Sequence, residues 1–350
     1  MNLEKLFDNE EEFTPETPLI TYLDYWIELK RVDLKRTTWE GYEARIRHIK
    51  RYFEPFNYCI MDVTPRIIDH FFHYLLTEGK ISQKTGERSG LSVRSTRSYK
   101  SLLHAVYSQA MIEGLVTINP VDGVLVRGKR NRDYSEDMLF LTEDEATNLL
   151  SFLSDNHPRL MPIAFVGIYY GLRRSELLGL KWSAVDFNKK LIHIRHTVVR
   201  LKTTEASALT KTLAGRRDLA LFPMAEKCLN KVRSEQNDYR SFFGKDYLNK
   251  EDYIFTWEDG RSYDPDYITG IFTKAMSDFG RPEITLHKLR HTCASILINR
   301  GWDIKKLQYW LGHVDANTTL NIYAHFNRQR MNEAADDLEE ISSKNADLFS

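Results

Sequence analysis

Four short segments of this 350-residue sequence carry the residue types that phosphate chemistry needs: guanidinium, ammonium, imidazole and phenol. The segments are Gly171-Leu172-Arg173-Arg174-Ser175-Glu176, then Lys211-Thr212, then His287-Lys288-Leu289-Arg290-His291, and finally Leu311-Gly312-His313, followed ten residues later by Tyr323. Arginine can grip two phosphate oxygens with its planar fork. Histidine and lysine can transfer protons, and tyrosine can form a covalent intermediate. Together these residue types suit the cleavage of a phosphodiester.

Each segment also has an ordinary structural interpretation. Arg173 could pair with Glu176 three residues later, and Lys211 could be a solvated loop lysine. His287 and His291 have the i,i+4 spacing of a zinc pair, but no glutamate of a metalloprotease helix lies between them and no third ligand is evident. Tyr323 is one of 18 tyrosines, most of which are expected to pack. The order of the whole set therefore decides the interpretation.

Taken in order, the segments resemble the tyrosine recombinases, also called the phage integrase family. That family has an arginine after a Gly-x turn, a lysine in a β-hairpin, His-x-x-Arg, Leu-Gly-His and then a tyrosine. The matching residues here, within 142–326, are Arg173, Lys211, His287, Arg290, His313 and Tyr323. The overall character resembles integrases of phages and integrative conjugative transposons. One departure is Tyr170, where the family often has threonine.

The resemblance implies a role for each matching residue. Arg173 and Arg290 would stabilise the charge of a pentacoordinate phosphate, and His287 and His313 would add hydrogen bonds and proton transfer. Lys211 would protonate the leaving 5′ oxygen. Tyr323 would attack phosphorus and store the bond as a 3′-phosphotyrosine. Arginines would replace the metals of two-metal nucleases, so neither a metal nor another cofactor such as ATP is expected.

The first half of the chain predicts helices with clear boundaries. Expected starts are the pair Thr17-Pro18, a capping box at Thr37 and Glu40, the pair Thr64-Pro65, and Ser92. Residues 80–91 are expected to form a polar loop. We predict a helical bundle over 19–121, which resembles the core-binding, SAM-like domain of the family. Residues expected to contact DNA lie near its last helix and in the next segment: Arg94, Arg97, Lys100, Arg127, Lys129 and Arg130.

Residues 122–139 interrupt the periodicity and are expected to form a flexible basic linker between domains. A catalytic domain is predicted over 140–330, beginning at the capping box of Thr142 and Glu145. It should contain two strands, at 191–199 and 216–222, with a tip at 203–215 between them. The predicted fold class is therefore mainly α with a small β-sheet, as a helical domain followed by an α+β domain.

Charge is unevenly distributed, although 49 basic and 49 acidic residues cancel overall. The tails 1–18 and 331–350 each hold one lysine and six acidic residues, which leaves the body between them with 47 bases against 37 acids. A basic body suits a polyanionic partner. With no apolar run of membrane length and no secretory signal, the protein is expected in the cytoplasm. Its three scattered cysteines, Cys59, Cys228 and Cys293, argue against both a disulfide framework and a zinc site.

The resemblance further implies a clamp around double-stranded DNA and a homotetramer that joins two sites through a Holliday junction, with possible accessory bending or directionality factors. The tail after Tyr323 carries an apolar stripe and is expected to dock on a neighbouring protomer or on its own domain. Three alternatives stay open: a type IB topoisomerase, a DNA-binding regulator without catalysis, and a helical scaffold. The Leu-Gly-His segment and the two-part layout favour a recombinase, and the ordered set argues against the other two. Only 18 acidic residues precede the first helix. Either no arm-binding domain is used or the sequence is truncated.

Overall fold

A computed structural model describes residues 13–82, 85–128, 139–200, 204–207, 215–313 and 320 of the chain, without the side chains of 199–200 and 204–207. The chain divides into two compact units, Met1–Asn131 and Arg132–Ser350. Each has its own hydrophobic core. Helices dominate both units and the strands are short, so the predicted fold class is confirmed.

The first unit is a helical bundle with one short hairpin. Its helices and strands are α1 (Leu19–Leu29), α2 (Arg36–Phe53), α3 (Pro65–Thr77), β1 (Lys80–Ile81), β2 (Arg88–Ser89) and α4 (Val93–Ile112). Each helix buries one apolar stripe. On α3 this stripe comprises Ile68, Phe71, Phe72 and Leu75, all at most 1% exposed. Burying such a side chain stabilises the fold by about 1.5–3 kcal/mol.

Two of the four predicted helix starts in this unit are confirmed. Thr64 accepts a hydrogen bond from the Ile67 amide at 3.4 Å, and Ser92 accepts one from the Ser95 amide at 3.1 Å. The other two predictions are wrong. Thr17 instead accepts a hydrogen bond from the Thr14 amide at 3.0 Å, and Pro18 precedes the helix without a side-chain cap.

The second wrong start is at Thr37, which lies inside the first turn of α2. That helix begins one residue earlier, at Arg36, with Lys35 as an N-cap that makes no side-chain hydrogen bond. Glu40, the expected partner of Thr37, lies 3.4 Å from the Arg36 guanidinium. An ion pair four residues along the helix has thus taken the carboxylate that the capping box required.

Two predicted loops contain more structure than expected. The polar loop 80–91 holds the β1–β2 hairpin, in which Lys80 pairs with Ser89. The predicted linker begins within the first unit, because Val124 is 8% exposed in its core and Val126 packs against that core. The remainder of the linker, residues 129–138, lies outside the described part.

The second unit combines helices with two small antiparallel sheets. In chain order they are α5 (Glu143–Asn156), α6 (Leu160–Tyr170), α7 (Arg174–Leu178), β3 (Val185–Asp186), β4 (Leu191–Ile194), β5 (Thr197–Arg200), β6 (Thr204–Ser207), β7 (Arg217–Ala220), α8 (Pro223–Phe243), α9 (Pro265–Asp278), α10 (Leu286–Asn299) and α11 (Ile304–Leu311). One sheet has the order β3-β4-β7 and the other pairs β5 with β6. The central helix α6 is apolar along most of its length and is buried on nearly all sides.

The predicted strand at 191–199 is divided into two. Its inward side chains are those expected, with Ile192, Ile194 and Val198 at most 2% exposed. However, β4 and β5 belong to different sheets, because the backbone leaves the ladder at Arg195 and His196. The second predicted strand is confirmed as β7, where Leu219 pairs with Ile192.

The capping box at the start of the second unit gives a direct test of the fold. The Thr142 hydroxyl accepts from the Glu145 amide at 3.2 Å, and the Glu145 carboxylate accepts from the Thr142 amide at 2.8 Å. Thr142→Ala should lower the free energy of unfolding of this unit by about 1 kcal/mol, and Thr142→Ser should restore it. Thr37→Ala, which removes no cap, should leave the first unit unchanged. Chemical denaturation measures both, and equal losses at Thr37 and Thr142 would contradict this account.

Candidate functional site

A glycine turn at the end of α6 sets the position of the first arginine segment. Gly171 adopts a left-handed conformation with φ of 59°. A Cβ atom there would lie 2.4 Å from Leu311 Cδ2 and 3.1 Å from Cys293 Sγ, so both the conformation and the space require glycine. The chain then reverses direction, and Arg173 becomes the residue immediately before α7.

Glu176 is the buried acceptor that orients Arg173. Its carboxylate is 3% exposed and accepts the Arg173 amide at 3.0 Å and Arg173 Nη1 at 2.7 Å. Arg173 Nη2 donates to the Gly312 carbonyl at 2.7 Å, while 36% of the side chain stays exposed. The ordinary ion pair that the sequence suggests is therefore real. It also holds the guanidinium in one orientation.

Arg290 lies close to this arrangement and is only 3% exposed. Its Nη1 donates to the Gly171 carbonyl at 2.7 Å, whereas its Nη2 has no hydrogen-bond partner among the described residues. Burial, together with the neighbouring charge of Arg173, lowers the pKa of the guanidinium to about 9. A buried cation with an open donor is costly unless an anion pairs with it.

A third arginine, which the sequence analysis did not select, completes the cluster. Arg217 at the start of β7 is 2% exposed, and its Nη2 lies 3.1 Å from Glu176 Oε2. Its Nε donates to the Trp310 carbonyl at 2.8 Å. One signal in the sequence could have found it. In the alternating strand, Arg217 occupies an inward position, two residues before the buried Leu219.

The histidines near the arginines stay neutral for a physical reason. Burial lowers the pKa of His313 to about 3, and the cations Arg290 and Arg173 contribute to the shift. His287 is exposed to solvent on one side, but desolvation of its inner side lowers its pKa, as do Arg290 and Arg173. The rings of His287 and His291 meet edge to face at 5.2 Å.

Burial alone would raise the pKa of Glu176, but Arg217 and Arg173 outweigh it and the pKa is lowered. The cluster thus holds three guanidiniums and one carboxylate, with neutral imidazoles beside them. This excess of positive charge suits an anion with several oxygen acceptors.

The remaining predicted site residues are placed as follows. Lys211, Tyr323, Lys129 and Arg130 lie outside the described residues. Arg94, Arg97 and Arg127 are exposed on the first unit. Lys100 donates to the Val124 carbonyl at 2.6 Å, which fastens the segment after the bundle to α4. The structure therefore brings together Arg173, His287, Arg290 and His313, and the roles of all twelve residues stay predictions.

Among the described residues, no group of three or more His, Cys, Asp and Glu side chains is arranged to hold a metal ion. Among the same residues, no helix is both long and apolar enough to cross a membrane.

Comparison with known families identifies the class of protein. Residues 139–330 match the phage integrase family, and residues 18–128 match the phage integrase SAM-like domain. Because the first match covers more than half of the chain, the protein belongs to the phage integrase family. It is a tyrosine recombinase, an enzyme that transfers DNA strands in site-specific recombination.

Individual relatives agree with this assignment. The chain is 25% identical to a XerC-like tyrosine recombinase of Caldanaerobacter subterraneus, over 90% of this chain and 81% of that protein. It is 24% identical to the ICEBs1 integrase of Bacillus subtilis, over 92% and 82% of the two chains. In structure it resembles the Tn1549 transposon integrase in complex with a circular intermediate DNA, with a TM-score of 0.71, 21% identity, and coverage of 91% and 99%.

The buried histidine predicts how stability depends on pH. Since the pKa of His313 is lowered on folding, the unfolded chain binds more protons once the pH falls below the ordinary histidine pKa. Between pH 6.5 and 5, the wild type should lose about 1–2 kcal/mol more unfolding free energy than His313→Gln. Denaturation at several pH values measures this. Parallel curves for the two proteins would show that His313 does not titrate on unfolding.

Proposed function

We propose that this recombinase breaks and rejoins duplex DNA by attack of Tyr323 on a phosphodiester held between Arg173 and Arg290. The observation that carries the proposal is the half-satisfied guanidinium of Arg290, a buried cation with one open donor beside the guanidinium of Arg173. The two nonbridging oxygens of a phosphate can accept hydrogen bonds from these guanidiniums and balance their charge. Arg173 and Arg290 then stabilise the additional charge of the pentacoordinate transition state.

The bonds and protons of the proposed step balance without another reactant. The Tyr323 oxygen forms a bond to phosphorus as the bond from phosphorus to the 5′ oxygen breaks. The tyrosine proton leaves to a nearby base, for which the neutral His287 is the candidate, and the 5′ oxygen takes a proton from Lys211. The 3′-phosphotyrosine keeps the bond energy. A 5′ hydroxyl of a second strand can then reverse the step on a new partner.

The neutrality of the imidazoles supports this division of roles. A histidine whose pKa is lowered can accept a proton or donate a hydrogen bond near neutral pH without adding charge. Arginines that stay charged do the electrostatic work. Proton transfer and charge stabilisation thus fall to different side chains, as in sites that set neighbouring pKa values apart.

The partner class follows from the family and from related complexes. The lambda integrase has been solved as a tetramer bound to a Holliday junction, and this chain shares its fold with a TM-score of 0.62 at 18% identity. We infer that the present enzyme also acts as a tetramer on double-stranded DNA. Arg94, Arg97 and Arg127 are placed on the surface, where phosphate contacts would give salt-dependent affinity. Accessory bending or directionality factors remain part of the proposal.

The decisive experiment uses a supercoiled plasmid that carries, joined end to end, the DNA flanking the enzyme's own coding region. Incubation in EDTA followed by a detergent quench should trap a covalent protein–DNA adduct. Tyr323→Phe should bind this DNA as the wild type does and form no adduct, because its ring has no nucleophilic oxygen. Tyr309→Phe is a matched control, since Tyr309 is an exposed tyrosine of the same unit whose hydroxyl bonds only backbone groups in the described part.

The outcomes separate the competing functions. A recombinase exchanges strands between two differently labelled plasmids, whereas a type IB topoisomerase relaxes each plasmid without exchange. A DNA-binding regulator binds the plasmid but forms no adduct. An adduct that persists in Tyr323→Phe assigns the nucleophile to another residue and overturns the proposal.

The proposed role of Lys211 can be tested separately. Lys211→Ala should slow cleavage of ordinary DNA by about 100-fold or more, the usual contribution of a general acid. A substrate with sulfur at the 5′ bridging position should restore the rate, because a thiolate leaves without protonation. Lys202→Ala, which changes a lysine nine residues earlier in the sequence, should cleave both substrates as the wild type does. Failure of sulfur to rescue Lys211→Ala would remove this residue from the acid role.

A further inference from the structure

Arg217 connects three of the elements that form the described part of the site. Its guanidinium meets Glu176 with both terminal nitrogens, at 3.4 Å and 3.1 Å, and donates through Nε to the Trp310 carbonyl at 2.8 Å. Nη1 also donates to the Gly215 carbonyl at 3.1 Å. The three elements are α7 with the residue before it, β7, and the end of α11.

The contacts form a closed ring that includes Arg173, one of the two arginines proposed to hold the phosphate. Arg217 holds the Glu176 carboxylate, which holds the amide and the guanidinium of Arg173. Arg173 then donates to the Gly312 carbonyl, two residues after the carbonyl that Arg217 holds. Trp310 lies in the last turn of α11 and Gly312 is its C-cap, so both carbonyls lie just before His313. The His313 amide itself donates to the Gln308 carbonyl at 3.1 Å.

Arg217 differs from the two arginines that are proposed to hold the phosphate, because it is buried and its nitrogens already have acceptors within the protein. Its side chain is 1% exposed, against 36% for Arg173. Every nitrogen of its guanidinium already has an acceptor, in contrast to Arg290 with its open Nη2. A fully satisfied, buried guanidinium is suited to fixing other groups in place.

We propose that Arg217 is a positioning residue for strand cleavage, which fixes Arg173 through Glu176 and fixes the turn before His313 through the Trp310 carbonyl. This inference rests on the proposed function, because it concerns the same site. Only a planar guanidinium can donate hydrogen bonds to the Glu176 carboxylate and to the Trp310 carbonyl at the same time. A lysine ammonium can reach one of them or the other.

The same plasmid and adduct assay tests this proposal with Arg217→Met, measured as a single-turnover cleavage rate. Misplacement of Arg173 should reduce cleavage by about tenfold to hundredfold, while DNA affinity in a gel shift changes by less than about threefold, because Arg217 itself makes no phosphate contact. Arg217→Lys should recover part of the rate. Arg281→Met is the matched control, since it removes a half-buried ion pair with Glu145 and Glu283 in the same unit. Its rate should equal the wild-type rate.

A pH profile distinguishes positioning from a general loss of stability. In Arg217→Met, the Glu176 carboxyl stays buried and loses one of the cations that lower its pKa, so that only Arg173 and the charge of Arg290 remain near it. Its pKa should therefore be higher than in the wild type. As the pH falls, the carboxyl takes up a proton and releases Arg173. The ratio of the Arg217→Met rate to the wild-type rate should therefore fall between pH 9 and pH 5. In the double variant Glu176→Gln with Arg217→Met, no carboxyl is left, and the ratio should not change with pH.

Each outcome bears on one claim only. If the wild type forms no adduct, the proposed function fails. If the wild type is active and Arg217→Met matches it, or keeps a constant ratio at every pH, Arg217 is structural and this inference is wrong. Where thermal melting shows that Arg217→Met does not fold, Arg217→Lys replaces it, because that variant leaves no unpaired carboxylate. A wild-type rate in folded Arg217→Lys would then overturn the proposal.

Discussion

The interaction on which the site depends is the buried carboxylate of Glu176 between two guanidiniums. At 3% exposure this carboxylate has little access to water, so its charge must be balanced by the protein. Arg173 supplies one cation from the adjacent turn, and Arg217 supplies another from a strand 41 residues away. Removal of one partner from such a buried pair typically costs about 3–5 kcal/mol, because the remaining charge stays desolvated. The ion pairs of Glu176 with Arg173 and Arg217 therefore determine how the turn before α7, strand β7 and the end of α11 fit together.

The same arrangement leaves the cluster with an excess of positive charge. The cluster holds three guanidiniums and one carboxylate, and Arg290 keeps a buried donor without a partner among the described residues. Burial and neighbouring cations lower the pKa values of Arg290, His287 and His313 together. Such strongly shifted pKa values are typical of functional sites, where a bound ligand balances the buried charge. In the proposed function, a phosphodiester supplies the charge and the oxygen acceptors that balance it.

Most of the architecture could be predicted from the sequence, because its signals are local. Capping at Thr64, Ser92 and Thr142 depends on residues three positions apart, and β7 follows from alternation. The predictions failed where a nearby competitor took the same group. Arg36 took the Glu40 carboxylate from Thr37, and the Thr14 amide took the hydroxyl of Thr17.

The site was predictable only in part, for a related reason. Arg173, His287, Arg290 and His313 stand in short patterns that a known family shares, so their meeting in space could be expected. Arg217 carries no such pattern. Its importance comes from contacts with Glu176 and Trp310, which are 41 and 93 residues distant, and only the fold brings them together. Lys100 is an example in the opposite direction. The sequence suggested a contact with DNA, and in the fold its ammonium donates to the Val124 carbonyl.

The most direct test of the central claim is to identify the residue that becomes bonded to DNA. Wild-type enzyme is incubated with the joined-end plasmid, the adduct is trimmed with nuclease and digested with protease, and the nucleotide-bearing peptide is sequenced by mass spectrometry. The account predicts one modified peptide, with a 3′-phosphonucleotide on Tyr323. A nucleotide on any other residue, or a DNA-cleaving enzyme that forms no adduct, would contradict it.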